Sequence, residues 1–234
     1  MEPTSRPRVK ICCIGSIDEA RLAIRYGAAA VGLVSEMPSG PGVIAESLIA
    51  EIAATVPPGV ASVLLTCRQS VAAIVDQQRR LRVNTIQICD QLTAGTYSEL
   101  RQALPGVSLM QVVHVTGEPS IAEAVDLAPF VDGLLLDSGN RTLAVKELGG
   151  TGRRHDWQIS RRIRESVPVP VYLAGGLRPD NVAEAMAVVR PFGLDLCTGV
   201  RTNGRLDEAK LSEFFHIIQA ATYLGAAAPL DTTA

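Results

Sequence analysis

The stretch VKICC at residues 9–13, followed by SIDEARLAIRY at residues 16–26 and by Gly27, contains the structural unit that decides this fold. The first five residues form a short, mostly apolar run, which is typical of a buried strand. Ser16 and Glu19 have the spacing of a capping box at the start of a helix, and Gly27 stands where that helix is expected to end. The stretch therefore predicts one strand followed by one helix.

The same alternation occurs eight times along the chain. The predicted strands are Val9–Cys13, Ala30–Val34, Ala61–Thr66, Thr85–Ile88, Leu109–Val113, Val131–Leu136, Val169–Leu173 and Leu194–Cys197. The predicted helices are Ser16–Tyr26, Ile44–Thr55, Ser70–Leu81, Tyr97–Ala103, Ser120–Leu127, Asp156–Ser166, Pro179–Val189 and Asp207–Tyr223.

Strands that alternate with helices imply parallel strands joined by right-handed crossovers. Near-continuous apolar strands are expected where both faces of the sheet are buried. Eight units predict an α/β protein with a closed (β/α)8 TIM barrel, built as a single domain over residues 9–223. The alternative is an open, doubly wound sheet, but no Gly-x-Gly-x-x-Gly follows the first strand, which counts against a dinucleotide site.

Both ends of the chain differ from this pattern. Residues 1–8 are polar and are predicted to form a flexible tail rather than a signal peptide. Gly225 is placed to end the last helix, and residues 224–234 are predicted to be a loose tail.

The composition excludes several classes of partner. The 234 residues are 47% hydrophobic and 20% charged, with a net charge of −2 and no evident basic patch, so nucleic acid is not an expected partner. No apolar window is long enough to span a membrane. The five cysteines are an odd number without an export signal, which indicates free thiols in a cytoplasmic protein.

Glycines after the last two predicted strands indicate a phosphate site. In (β/α)8 barrels the active site lies at the carboxyl ends of the strands, and the loops after strands 7 and 8 often bind phosphate. Gly175 and Gly176 follow strand 7, and Thr198 and Gly199 follow strand 8 close to Asp195. Glycines let the backbone N–H groups approach an anion, and a short helix after strand 8 would add a favourable dipole. Tight turns are the alternative explanation.

Other residues at the same rim are weaker candidates. Gly149–Gly152 lies in a long loop after strand 6 and suits a flexible lid or simply a flexible loop. Thiols and an imidazole also end several strands, and they are expected at one rim: Cys12, Cys67, Cys89, Cys197 and His114. Such ligands could bind a thiophilic metal, although the chain has no Cys-x-x-Cys pair.

Five motifs occur in the order of one known family. They are Val9–Cys12, Leu135–Ser138, Gly149–Gly152 followed by Asp156-Trp157, Leu173–Leu177 followed by Pro179–Val182, and Asp195–Gly199. Together they resemble the phosphoribosylanthranilate isomerase family of tryptophan biosynthesis, from about Val9 to Phe215.

The resemblance implies an intramolecular aldose-ketose isomerase of the cytoplasm. Its reaction is an Amadori rearrangement that turns a phosphorylated aminoaldose into an aminoketose, with Cys12 as the base and Asp137 as the acid. It also implies that Lys10, Asp195 and the four rim residues Gly175, Gly176, Thr198 and Gly199 contact the substrate or its phosphate. No cofactor and no metal are expected. The expected partner is a small phosphorylated substrate, bound by a monomer or a homodimer.

Strand alternation adds two expectations about the first strand. Lys10 lies two residues before Cys12 and should share its face, where the lysine could help to hold Cys12 as thiolate. Cys13 should point the other way, toward the helices.

The sequence departs from the family pattern on the aromatic side of the substrate. The family has Ser-Pro-Arg where this chain has Ser39-Gly40-Pro41, so the arginine that helps to bind anthranilate is missing. Strand 4 ends in Gln87–Asp90 instead of Gln-Leu-His-Gly, and Arg201 replaces a glutamate.

Further candidates for substrate contact are therefore Gln87, Gly150, Arg68 and Arg201, of which either arginine could clamp the carboxylate. Two alternative functions stay open. One is a paralogous isomerase or epimerase acting on another sugar phosphate, and the other is an inactive barrel that binds a phosphorylated ligand.

Overall fold

Eight parallel strands close into a barrel in the order β1 to β8, in a computed structural model that describes residues 6–226, with side chains described as far as residue 221. The strands are β1 Arg8–Ile11, β2 Ala30–Val34, β3 Ala61–Thr66, β4 Thr85–Ile88, β5 Ser108–His114, β6 Gly133–Asp137, β7 Val171–Leu173 and β8 Gly193–Leu196. The pairing of β1 with β8 closes the ring and sets Lys10 opposite Asp195. The predicted (β/α)8 barrel is confirmed.

One helix follows each strand. The helices are α1 Ile17–Arg25, α2 Glu46–Thr55, α3 Val71–Leu81, α4 Tyr97–Ala103, α5 Pro119–Leu127, α6 Trp157–Ser166, α7 Val182–Val189 and α8 Glu208–Ala226. Several begin at side chains that accept a backbone hydrogen bond: Ser16 caps α1, Ser70 caps α3 and Asp156 caps α6. No helix in the described part of the chain has the length and apolar character needed to cross a membrane.

Alternation along the strands produces two separate apolar layers. Side chains such as Ile11, Leu33 and Leu136 pack outward against the helices in a large buried cluster. Side chains such as Val63, Val112 and Leu135 fill the interior of the barrel in a second cluster that also contains Cys12. Because period-2 alternation sends successive side chains to opposite faces, Lys10 and Cys12 share the interior face while Ile11 lies outside.

Several boundaries differ from the sequence-based expectations. Strand β1 ends at Ile11, so the two cysteines lie beyond it. Helix α7 starts at Val182 rather than Pro179, because Asn181 closes a turn by accepting from the Arg178 N–H at 2.9 Å and donating to the Gly176 carbonyl at 2.9 Å.

Gly225 does not end the last helix, since α8 continues to Ala226; a glycine costs a helix only about 1 kcal/mol relative to alanine. A small hairpin, β9 Arg201–Thr202 with β10 Arg205–Leu206, was not expected. Arg8 belongs to β1 and residues 224–226 belong to α8, so both predicted tails are shorter than expected. The remainder of the predicted tails, residues 1–5 and 227–234, lies outside the described residues.

The expectation that all cysteines are free thiols is wrong for one pair. Cys13 and Cys197 form a disulfide with a Cα–Cα distance of 5.8 Å, whereas Cys12, Cys67 and Cys89 are free. The two positions are 184 residues apart in sequence, but β1 and β8 are neighbours in the closed barrel, so their ends lie side by side. Cys13 has a φ of 61°, which turns its side chain to the barrel mouth instead of toward the helices.

Reduction of this disulfide should destabilise the barrel. A crosslink that joins the two ends of the domain restricts the unfolded chain, and such crosslinks typically contribute about 2–4 kcal/mol. We expect the urea midpoint of the oxidised protein to fall when a reductant is added. The variant Cys13→Ser/Cys197→Ser should start at the lower midpoint and should not respond to reductant. Equal midpoints for the oxidised and reduced wild-type protein would contradict the crosslink.

Candidate active site

A cavity that is open to solvent lies at the carboxyl ends of the strands. The loops after β1, β2, β6, β7 and β8 form its walls. Cys12 and Asp137 both line it, as do Asp195 and three of the four expected phosphate-loop residues, Gly175, Gly176 and Thr198; Gly199 is not among the residues that line it. The structure therefore brings the expected base, the expected acid and the expected phosphate loops to one cavity.

Cys12 lies beside a buried ion pair. Lys10 Nζ donates to Asp195 Oδ1 at 2.9 Å, and the side chains of these two residues are 0% and 8% exposed. Burial by itself lowers the pKa of Lys10, but the negative charge of Asp195, and of Cys12 when it is a thiolate, outweighs it, so the net pKa is raised. Lys10 is thus a buried cation beneath the site, and it is not among the residues that line the cavity.

The thiol of Cys12 experiences two opposing effects. Burial raises its pKa from 9.0 to about 11, while the nearby Lys10 ammonium lowers it and so limits the rise. The thiolate is therefore a minor species in the substrate-free protein at neutral pH. Only this thiolate form of Cys12 can act as a base.

Gly32 on β2 makes room for this arrangement. A Cβ at this position would lie 2.9 Å from Cys12 Sγ and 3.1 Å from Lys10 Nζ. Only glycine leaves space for the thiol and the ammonium on the interior face. The sequence analysis did not select Gly32; a glycine inside a strand is a recognised sign of such close approach.

Asp137 ends β6 on the opposite side of the cavity floor. Burial raises the pKa of its carboxyl group above 3.8, although hydrogen bonds from the Ser138 N–H at 2.7 Å and the Ser138 hydroxyl at 3.4 Å act in the opposite direction. A Cβ at Gly149 would lie 2.9 Å from Asp137 Oδ2, so the long loop after β6 covers this carboxyl group. A carboxyl group with a raised pKa is suited to donate a proton.

The glycine loops after β7 and β8 pack against each other through their backbones. Gly176 has a φ of 64°, and a Cβ there would lie 2.9 Å from the carbonyl oxygen of Gly152. A Cβ at Gly199 would lie only 2.0 Å from the carbonyl oxygen of Leu177. These contacts exclude side chains and leave bare backbone at the cavity wall, beside a short 3-10 turn over Thr198–Val200.

The loop after β2 and the long loop after β6 meet at the side of the barrel mouth opposite the glycine loops. The Ser39 hydroxyl donates to the Lys146 carbonyl at 2.7 Å, and a Cβ at Gly150 would lie 2.6 Å from Pro41. Lys146 Nζ also donates to the buried carboxylate of Asp90 at 2.6 Å. The loop after β2 and the long loop after β6 thus form a joint cover, a role that the glycine run alone suggested only weakly.

The further candidates separate into two groups. Gln87 and Gly150 line the cavity, and Gln87 Oε1 is buried without a hydrogen-bond partner in the described part of the chain. Arg68 forms an ion pair with Glu46, and Arg201 forms one with Glu19; neither arginine lines the cavity. Substrate contact by these four residues stays a prediction, and the geometry favours it only for Gln87 and Gly150.

The rim thiols do not assemble a metal site. Among the described residues, no three His, Cys, Asp or Glu side chains are grouped so that they could hold a metal ion. Of these thiols, Cys197 is in the disulfide, and His114 Nε2 donates to the Cys89 carbonyl oxygen at 3.0 Å. The metal-binding alternative therefore has no support in the geometry.

The closed barrel and this site at its carboxyl end define a (β/α)8-barrel enzyme. A model of the family described as N-(5'-phosphoribosyl)anthranilate (PRA) isomerase matches residues 9–217. The chain belongs to this phosphoribosylanthranilate isomerase family.

Individual relatives agree with this assignment. The chain is 35% identical over 211 residues to N-(5'-phosphoribosyl)anthranilate isomerase 2 of Methanosarcina mazei, covering 89% of this chain and 92% of that protein. A crystal structure of phosphoribosyl anthranilate isomerase with reduced 1-(o-carboxyphenylamino)-1-deoxyribulose 5-phosphate superposes with a TM-score of 0.72 at 26% identity, covering 92% of this chain and 99% of that one. Monomers generated from the dimeric enzyme of Thermotoga maritima superpose with a TM-score of 0.73 at 25% identity, with coverage of 92% and 99%.

The reactivity of Cys12 should report its raised pKa. Alkylation requires the thiolate, whose fraction increases until the pH passes the pKa. In substrate-free protein, we expect the rate at which iodoacetamide alkylates Cys12 to rise up to about pH 11. Short pulses at each pH, followed by peptide mass spectrometry, measure this rate, and Cys12→Ser is the control for modification elsewhere. A rate that levels off at or below pH 9 would show that Lys10 prevails over burial.

Proposed function

We propose that this protein isomerises N-(5'-phosphoribosyl)anthranilate by an Amadori rearrangement, as a step of tryptophan biosynthesis. The observation that carries the proposal is the placement of Cys12 and Asp137 on the floor of one cavity whose wall is formed by the glycine loops. Family membership supports the same reaction. Purified protein assayed with phosphoribosylanthranilate, together with complementation of a tryptophan auxotroph that lacks this step, tests it.

The proposed chemistry needs an acid and a base on different atoms of the ribose. Asp137 protonates the ring oxygen, so that the C1–O bond breaks and the amine nitrogen forms a C1 iminium. Cys12 then removes the proton from C2, and the electron pair neutralises the iminium to give an enolamine. Tautomerisation of the enolamine yields the aminoketose. A buried carboxyl group with a raised pKa and a thiol beside a fixed ammonium suit these two roles.

The Lys10–Asp195 ion pair supports the base from below. Lys10 lowers the cost of forming a thiolate at Cys12, and Asp195 keeps the ammonium in place. In this arrangement Lys10 acts through Cys12, since it does not line the cavity, and Asp195 faces the substrate. The backbone of Gly175, Gly176, Thr198 and Gly199 binds the phosphate. Glycine loops with exposed N–H groups are suited to an anion.

The proposal also covers the class of ligand, the oligomeric state and the cellular compartment. A small phosphorylated substrate matches the analogue bound by one solved relative. Both a monomer and a homodimer remain compatible with the chain, since one relative is dimeric. We retain the cytoplasm as the compartment.

One observation favours a second candidate, an isomerase for a sugar phosphate with a different amine. The cavity wall opposite the phosphate loops is apolar, with Val34, Met37, Leu65 and Leu148, and no lysine or arginine is among the described residues that line the cavity. A carboxylate is usually matched by a guanidinium or ammonium group. Turnover of another phosphoribosyl amine, with none of phosphoribosylanthranilate, would select this candidate.

Removal of either catalytic group should slow turnover without weakening binding. Proton transfer by a positioned side chain contributes about 10²–10⁴-fold. We expect Cys12→Ala and Asp137→Asn each to lower kcat by at least about 10²-fold, with KM nearly unchanged. Steady-state kinetics measure both. If Cys12→Ala keeps full activity on a verified substrate, the role of the thiol as base is wrong.

A methyl group in the phosphate loop should instead weaken binding. Gly176→Ala places a Cβ 2.9 Å from the Gly152 carbonyl oxygen at a φ of 64°, so the loop must shift. Because phosphate binding contributes about equally in the ground and transition states, KM should rise more than kcat falls. Gly106→Ala is the matched control, with a φ of 81° and no atom within 4 Å of its Cβ. Unchanged KM in Gly176→Ala would contradict the phosphate assignment.

A further inference from the structure

Arg201 connects the loop that carries Cys12 to the end of β8. Its side chain is only 8% exposed, and it follows directly after the 3-10 turn Thr198–Val200. Arg201 Nη2 donates to the backbone carbonyl of Cys12 at 3.3 Å and also to the carbonyl of Cys13. The guanidinium therefore holds two successive peptide groups, Cys12–Cys13 and Cys13–Ile14.

Glu19 fixes the guanidinium in this position. Arg201 Nη1 and Nη2 donate to the two carboxylate oxygens of Glu19, each at 3.0 Å, in the bidentate geometry that is strongest for this pair. Glu19 also accepts from the backbone N–H of Gly15 at 2.9 Å and of Leu206 at 2.8 Å. Burial alone would raise the pKa of Glu19, but these hydrogen bonds outweigh it and the pKa is lowered. The pair is thus fully charged at neutral pH.

The direction in which Arg201 points separates this role from substrate binding. The residue does not line the cavity, and the described hydrogen bonds of its side chain go to Glu19, Gly204 and the two cysteine carbonyls. In these contacts Arg201 binds the backbone carbonyls of Cys12 and Cys13. Its side chain is not placed to contact a substrate in the cavity.

We propose that Arg201 is a positioning residue for the isomerase reaction, because it fixes the peptide of Cys12 and so fixes the thiol relative to C2 of the bound sugar. This inference rests on the proposed function, in which Cys12 removes the C2 proton. A misplacement of about 1 Å in a reacting group can cost about 10²-fold in rate. The Cys13–Cys197 disulfide ties the same two segments covalently, which makes the reduced protein the more sensitive form in which to examine Arg201.

The experiment compares Arg201→Ala and Arg201→Lys with the wild-type protein in reducing buffer. The substrates are phosphoribosylanthranilate and the same compound deuterated at C2 of the ribose. We expect kcat to fall about 10²-fold in Arg201→Ala and less in Arg201→Lys, whose single ammonium cannot contact Glu19 and both carbonyls together. KM should change little. The deuterium isotope effect on kcat should increase in both variants, because proton removal becomes slower relative to the other steps.

The isotope effect distinguishes positioning from a loss of folded protein, which lowers kcat without changing this ratio. Arg205→Ala, on the exposed edge of the same hairpin, is the control and should match the wild type. If Arg201→Ala does not fold, Arg201→Lys decides the question. An isotope effect equal to that of the wild type in a folded variant, or a rise in KM alone, overturns the proposal. Failure of the wild-type protein to turn over the substrate would instead overturn the proposed function.

Discussion

The ion pair between Lys10 and Asp195 is the interaction on which the site depends. It lies inside the barrel, joins the first strand to the last, and separates its charges by only 2.9 Å. Burying a single charge costs several kcal/mol, so neither residue is tolerable in this place without the other. Breaking such a pair by removing one partner typically costs about 3–5 kcal/mol. The barrel floor therefore lies over a positive charge beneath Cys12, which is paired with the carboxylate of Asp195.

This pair also explains the electrostatic balance of the proposed chemistry. An apolar interior opposes ionisation of both Cys12 and Asp137, which raises the pKa of each group. A raised pKa is useful for Asp137, which must stay protonated to act as an acid, and unfavourable for Cys12, which must lose its proton to act as a base. Lys10 limits the rise in the pKa of the base, and the space it needs next to the thiol explains the bare backbone of Gly32.

Three interactions link the chain segments at the β1–β8 junction. They are the Lys10–Asp195 ion pair, the Cys13–Cys197 disulfide and the Arg201–Glu19 ion pair. At this junction the beginning and the end of the chain meet to close the barrel. The expected base follows β1 and half of the expected phosphate site follows β8, so the relative position of the two strands sets the distance between base and phosphate. The buried ion pair, the disulfide and the bidentate arginine–glutamate contact together keep that distance fixed.

The sequence by itself determined the barrel, the order of its eight units and the sharing of one strand face by Lys10 and Cys12. These follow from local patterns, namely apolar runs, helix caps such as Ser16, and period-2 alternation. The motifs also placed Cys12, Asp137 and the glycine loops at one rim, because parallel strands present their carboxyl ends together. Only the tertiary structure decided the disulfide at Cys13, the turning of Arg201 away from the cavity and the need for glycine at position 32. Each of these depends on segments that are distant in sequence and meet only when the barrel closes. A local pattern, such as the glycine inside β2, can signal a close approach but cannot show which residues meet.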